Sequence, residues 1–205
     1  RVRIWRGHTF LAESPPLEGR PTQLVFSSNG EKLGVSSSMG KAWVIQTSSG
    51  RILHSVHQPG EIMSIEFSPG DKTFLTAGAL GLIRVWSAVD GKLMTSSLSQ
   101  NATARARFSV DGRSILAHGS DLRALLWDAS TFEALIPPLS HEDAIISARF
   151  SADGKFIVTL GEDLRARIWR VPSGKLSLIE ARREARLVTS RVVDPTGTVV
   201  PLDAA

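Results

Sequence analysis

The chain has no cysteine in its 205 residues, which excludes a disulfide framework, a thiolate zinc site and a cysteine nucleophile. It has no apolar run near the roughly 18 to 20 residues needed to cross a bilayer. Its opening, RVRIWRGHTF, lacks the successive charged, apolar and small-residue sections of a signal peptide. A cytoplasmic protein with no membrane association is therefore expected. The first residue is Arg1 rather than Met, so the segment also reads as processed or excerpted.

Neither sign of charge predominates: 24 Lys and Arg stand against 20 Asp and Glu, a formal net charge of +4. The basic residues are spread along the chain, whereas a nucleic-acid surface gathers them on one face. The densest stretch carries Arg182, Arg183, Arg186 and Arg191 but is diluted by Glu180 and Glu184. It reads as a solvated strand edge, and no nucleic-acid partner is expected. With 42% hydrophobic and 21% charged residues, the composition is that of an ordinary folded globular protein.

Motifs that carry chemistry are also scarce. None of the five histidines (His8, His54, His57, His118, His141) has metal-ligand spacing. The stretch Gly34 to Ala42 resembles a phosphate loop only superficially: five residues separate its glycines, and Ala42 stands where a hydroxyl should bind magnesium. There is no Gly-x-Ser-x-Gly elbow. The adjacent carboxylates Glu142 and Asp143, or Glu162 and Asp163, sit at predicted turns and suit turn formation better than acid–base work. Asn101-Ala-Thr103 matches a glycosylation acceptor and is assigned no role. No catalytic residue, metal ligand or cofactor-binding residue is expected.

What the sequence does have is a repeat. Phe26-Ser-Ser-Asn-Gly30 recurs as Phe67-Ser-Pro-Gly-Asp71, Phe108-Ser-Val-Asp-Gly112 and Phe150-Ser-Ala-Asp-Gly154, and more weakly as Val193-Asp-Pro-Thr-Gly197. A second series runs Arg3-Ile-Trp5, Trp43-Val-Ile45, Arg84-Val-Trp86, Leu125-Leu-Trp127 and Arg167-Ile-Trp169. Both markers step by about 41 residues, so one structural unit is being repeated. Within a period, short alternating apolar runs are bounded by turn residues; in the fourth, 145–151, 156–161, 165–170 and 175–181 read as four strands. Such a sheet cannot bury both faces alone, and radial stacking of sheets into a propeller is one solution.

These residues resemble the WD40 family, and bacterial-type arrays in particular, although only Trp127-Asp128 keeps the literal dipeptide. The resemblance implies an all-β propeller of four-stranded antiparallel blades. Residues 1–205 then form one propeller domain or fragment with blades at about 21–58, 61–99, 103–140 and 145–181, plus a split blade from 185–205 and 1–14. Either the ring closes at five blades or the chain is an arc of a larger propeller. The resemblance also implies a structural hydrogen-bond tetrad of His141, Thr159, Asp163 and Trp169. In the third period Ala117 stands at the hydroxyl position beside Asp121 and Trp127. In the second, Leu80 stands where the Asp would be, with His57 as a looser equivalent of His141.

Function is then expected on loops carried by the scaffold. The family's exposed positions lie four and six residues before the Phe marker: Thr22 and Arg20, Met63 and Glu61, Ala104 and Ala102, Ile146 and Ala144, Thr189 and Leu187. Ser120 and Glu162, just before the turn Asp, join them. The partner-binding candidates are Arg20, Met63, Glu61, Ile146, Leu187, Glu162 and Ser120. The expected function is a non-catalytic scaffold for a protein or peptide partner, within what the resemblance suggests is a larger multidomain chain. The alternative is a propeller enzyme or ligand-binding module with its site in the central channel.

Overall fold

The Phe-Ser marker acts first as a turn. In all four complete repeats the residue three beyond the marker serine turns back through a left-handed backbone: Gly30, Asp71, Gly112 and Gly154 have φ of 72°, 55°, 72° and 70°. Their N–H groups donate to the carbonyls of Ser27, Ser68, Ser109 and Ser151 at 2.8–2.9 Å. The serine hydroxyl then accepts the N–H that opens the next strand, from Lys32 (2.9 Å), Thr73 (3.2 Å), Ser114 (2.9 Å) and Phe156 (3.0 Å). Glycine suits this position because it alone adopts positive φ without steric cost.

The computed structural model describes residues 1–95, 98–99, 104–171, 191–193 and 199–201. Strands β1 (Arg3–Arg6) and β2 (Thr9–Glu13) pair with each other in a two-stranded sheet. The first full sheet has β3 (Pro21–Phe26), β4 (Lys32–Ser37), β5 (Lys41–Gln46) and β6 (Ile52–His57) side by side. The second has β7 (Ile62–Phe67), β8 (Thr73–Gly78), β9 (Leu82–Ser87) and β10 (Leu98–Ser99). The third has β11 (Ala104–Phe108), β12 (Ser114–Gly119), β13 (Arg123–Asp128) and β14 (Leu139–Ser140). The fourth has β15 (Ile145–Phe150), β16 (Phe156–Gly161) and β17 (Ala166–Arg170), followed by β18 (Arg191–Val193) and β19 (Val199–Pro201).

The second marker series fixes the register. Leu33 lies opposite Ile45, Phe74 opposite Trp86, Ile115 opposite Trp127 and Ile157 opposite Trp169, the same rung in each sheet. The architecture is all-β, with sheets joined in chain order as in a propeller, and the described strands do not close into a continuous sheet.

At the end of the array the fourth sheet continues beyond β17. The stretch 175–181, read as the fourth strand of its blade, lies outside the described residues. The edge of β17 is instead paired by β18, with Arg167 opposite Val192 and Ile168 opposite Arg191, and β19 pairs with β18. Residues 191–193 and 199–201 thus extend the fourth sheet and cover the edge of β17.

The chain divides into two compact units, residues 1–106 and 107–205. In the first, Ile4 and Ala12 bury against Leu33, Val35, Trp43 and Ile45, and a second cluster joins Val44 and Val56 to Ile65, Phe67, Phe74 and Trp86. In the second, Leu116, Leu126, Ile136 and Leu139 pack with Ile145, Ala148 and Ile157.

Candidate functional site

Three of the first strands are bulged at one place. The pairing of β3 with β4, β7 with β8 and β15 with β16 skips one residue, which is Thr22, Met63 and Ile146 respectively. A bulge takes a residue out of the ladder and re-aims its side chain. The positions four residues before the Phe marker are therefore structurally distinct, which ordinary strand alternation would not reveal. Ile146 is exposed and Met63 half-buried. Thr22 Oγ1 donates to the Ile62 carbonyl at 2.5 Å and accepts from Ser36 Oγ at 2.8 Å, tying the first strand of one sheet to the next. Gln23 Oε1 repeats the tie by accepting from Ile65 N (3.0 Å), and Ser64 Oγ by accepting from Ala106 N (3.2 Å).

Within the first unit an open cleft of about 260 Å³ lies over these bulges, lined by Arg20, Pro21, Thr22, Glu61, Met63 and Arg105. It gathers three of the seven partner-binding candidates, Arg20, Glu61 and Met63. Arg20 and Glu61 form an exposed ion pair at 4.0 Å, a geometry worth little by itself and easily exchanged for another charge. Arg105 NH1 donates to the Met63 carbonyl at 3.2 Å, which anchors a second guanidinium at the rim. The cleft thus offers a flexible thioether between two cations and one carboxylate.

Ser120, Ile146 and Glu162 belong to the second unit, where all three are exposed. The Glu162 N–H is held by the Ala144 carbonyl at 2.8 Å. Ala104 is buried, and Ala102, Leu187 and Thr189 lie outside the described residues. Arg105 was not among the sequence candidates because it lies three residues before Phe108 rather than four or six.

The fourth sheet carries a polar relay. Trp169 Nε1 donates to Thr159 Oγ1 (2.8 Å), Thr159 Oγ1 stands 2.6 Å from His141 Nε2, and His141 Nδ1 faces the Asp163 carboxylate at 3.2 Å. A single neutral imidazole tautomer satisfies every member: Thr159 donates to Nε2 and Nδ1–H donates to Asp163. Burial pushes the His141 pKa down against the pull of Asp163. Burial also pushes the Asp163 carboxyl up, but the Arg165 N–H, His141 and Arg167 outweigh it and lower it to about 2. Arg167 NH1 reaches Asp163 Oδ2 at 2.8 Å, and both side chains are nearly fully buried.

The second sheet carries a variant of the same relay. Trp86 Nε1 donates to Thr76 Oγ1 (2.9 Å), which donates to Gln58 Oε1 (2.6 Å). Gln58, fully buried, thus occupies the place expected of His57, which is exposed on β6. In the third sheet Ala117 is buried at the hydroxyl position, and Asp121 Oδ1 is buried without a hydrogen-bond partner.

Residues 50–87 and 135–170 match the model of the WD domain, G-beta repeat (WD40). No curated protein matches the chain. Among solved structures, the computationally designed Ika8 protein superposes with a TM-score of 0.75 at 20% identity, over 85% of this chain and 54% of that one. The computationally designed Ika4 protein gives 0.71 at 18% identity, over 79% of this chain and 98% of that one. The RRP9 WD40 repeats give 0.67 at 18% identity, over 77% of this chain and 50% of that one. The chain thus spans about half the length of the Ika8 and RRP9 chains, and at these identities the likeness is one of fold.

Proposed function

We propose, on the premise that this chain is built of WD40 repeats, that it is a non-catalytic scaffold that binds a protein or peptide partner through the loops and bulged first strands of one propeller face. The observation that carries this reading is the cleft in the first unit, where Arg20, Glu61 and Met63 converge with Arg105. Its floor is rigid, because Thr22, Gln23 and Ser64 cross-brace neighbouring first strands. Its rim is adaptable, because the Arg20–Glu61 pair is solvent-exposed and methionine fits varied apolar surfaces. Rigid backbone with adaptable anchors suits peptide recognition. Ile146, Glu162 and Ser120 supply further contacts in the second unit, and Leu187 completes the set.

Selection of binding peptides from a display library against the purified chain tests the reading. Binders should lose about tenfold or more in affinity on Met63→Ala or Arg105→Ala, the size of a contact worth about 1.4 kcal/mol, with unfolding midpoints unchanged. Selected peptides that bind all cleft variants as well as the parent would overturn it.

A further inference from the structure

Two buried donors in the second sheet have no acceptor among the described residues. Gln58 is fully buried; its Oε1 is used by Thr76, and its Nε2 has no hydrogen-bond partner. The Nε of Arg84 is likewise buried and unpartnered, while NH1 of the same guanidinium donates to the His57 carbonyl at 3.2 Å. A buried N–H left unmade is costly, the more so on a cation, so a native sheet with two of them at related positions needs an explanation.

The fourth sheet supplies it. Gln58 holds the same relation to Thr76 and Trp86 that His141 holds to Thr159 and Trp169. Arg84 lies opposite Thr76 on the rung where Arg167 lies opposite Thr159. In the fourth sheet the two equivalents, His141 and Arg167, converge on one group, the Asp163 carboxylate. In the second sheet the residue two beyond the strand end is Leu80, not Asp. It stands in a tight 3₁₀ turn with φ of 68° and its side chain outward. The second sheet thus has the donors without the acceptor.

We propose that the second sheet binds a carboxylate from outside the chain between Gln58 and Arg84, in the place that Asp163 fills in the fourth. A carboxylate fits better than a spherical anion because two oxygens can each take one donor, as the two Asp163 oxygens do. The Arg84 guanidinium is already oriented, 5.9 Å from the centre of the Trp86 ring and tied to His57. The carboxylate comes either from a small free acid or from an acidic side chain of a bound partner. This site is separate from the Arg20–Arg105 cleft, and its failure would leave the scaffold reading standing.

The experiment is a series of thermal melts and tryptophan emission spectra of the whole chain, with sodium acetate replacing sodium chloride at fixed ionic strength and pH. The expected result is a saturable rise in Tm, about 3 °C at ten times the half-saturating concentration, with a parallel change in emission from Trp86. Arg84→Leu and Gln58→Leu should each abolish the response; the second also strands the Thr76 hydroxyl, so both variants are first checked for a cooperative melt in chloride. A Glu-containing peptide that competes with acetate, when its Gln counterpart does not, identifies a partner side chain as the source. Response to acetate without such competition identifies a free acid. Melts identical in acetate and chloride, or a rise that survives in both variants, would overturn the proposal.

Discussion

Trp169 and Thr159 meet across β16 and β17, with the indole nitrogen 2.8 Å from the hydroxyl oxygen, and this contact sets the direction of every hydrogen bond beyond it. An indole can only donate, so the Thr159 oxygen must accept it and turn its own proton toward His141. The imidazole then presents its remaining N–H to Asp163. Replacing Thr159 with Val keeps the shape but strands one donor and one acceptor in a fully buried position. The expected loss is about 2–4 kcal/mol, read as a lower urea midpoint for Thr159→Val. A change below about 0.5 kcal/mol would mean the relay contributes no stability.

The same relay makes stability depend on pH. The folded pKa of His141 is lowered from its ordinary 6.5, so the unfolded chain binds a proton that the folded chain refuses. The corresponding stability is present above pH 6.5 and is lost as pH falls below it. The folded pKa of Asp163 is lowered from 3.8 to about 2, so its contribution is present above 3.8 and lost as pH falls through about 2. Urea midpoints measured from pH 8 to 2 should decline in the upper window first. His141→Gln, which copies the second sheet, should remove that upper step and leave the lower one. A wild-type midpoint that is flat between pH 7 and 5 would contradict this.

The register of the sheets was legible in the sequence because the marker residues have fixed physical jobs: the serine hydroxyl caps the hairpin in all four, and in the second and fourth the indole donates to a hydroxyl on the neighbouring strand. Counting back four from the Phe reaches Thr22, Met63 and Ile146, but nothing in the sequence marked them as bulged. Gln58 was not legible either. It lies nine residues before Phe67, as His141 lies nine before Phe150, while His57 lies ten before, and one residue along an extended chain reverses the side chain. Residue type drew attention to His57; position selects Gln58. The pairing of β18 with β17 was hidden because it depends on which segment reaches an edge, and short apolar runs such as 175–181 and 191–193 compete for that without a distinguishing pattern.

Asp71 stands where the other three marker turns have glycine. Its carboxylate accepts the N–H groups of Ser28 (2.7 Å) and Asn29 (3.0 Å) from the preceding hairpin. Asp71→Gly would relieve a left-handed conformation, a gain of about 1 kcal/mol, but would lose two charge-assisted hydrogen bonds between sheets. The hydrogen bonds are expected to prevail, with a net destabilisation of about 1 kcal/mol by urea unfolding. A more stable Asp71→Gly would show that these two bonds are made equally well to water.

The last prediction concerns how one sheet lies on the next. A methyl group added at Gly34 would stand 3.0 Å from Ile65 Cδ1 and 3.2 Å from Phe67 Cε2, so the first strand of the second sheet rests on the bare backbone of β4. Overpacking of this kind costs about 1–3 kcal/mol, and Gly34→Ala should lower the urea midpoint accordingly. Val158 stands on the equivalent rung of β16, opposite Ile168 as Gly34 is opposite Val44. There the face is open: β4 is buried almost throughout, whereas β16 alternates and Val158 is 41% exposed. Val158→Thr should therefore shift stability by less than about 0.5 kcal/mol, as surface changes usually do. If instead Val158→Thr cost as much as Gly34→Ala, the open face of β16 would be packed in solution, and the position that distinguishes the two sheets would be the contact to map.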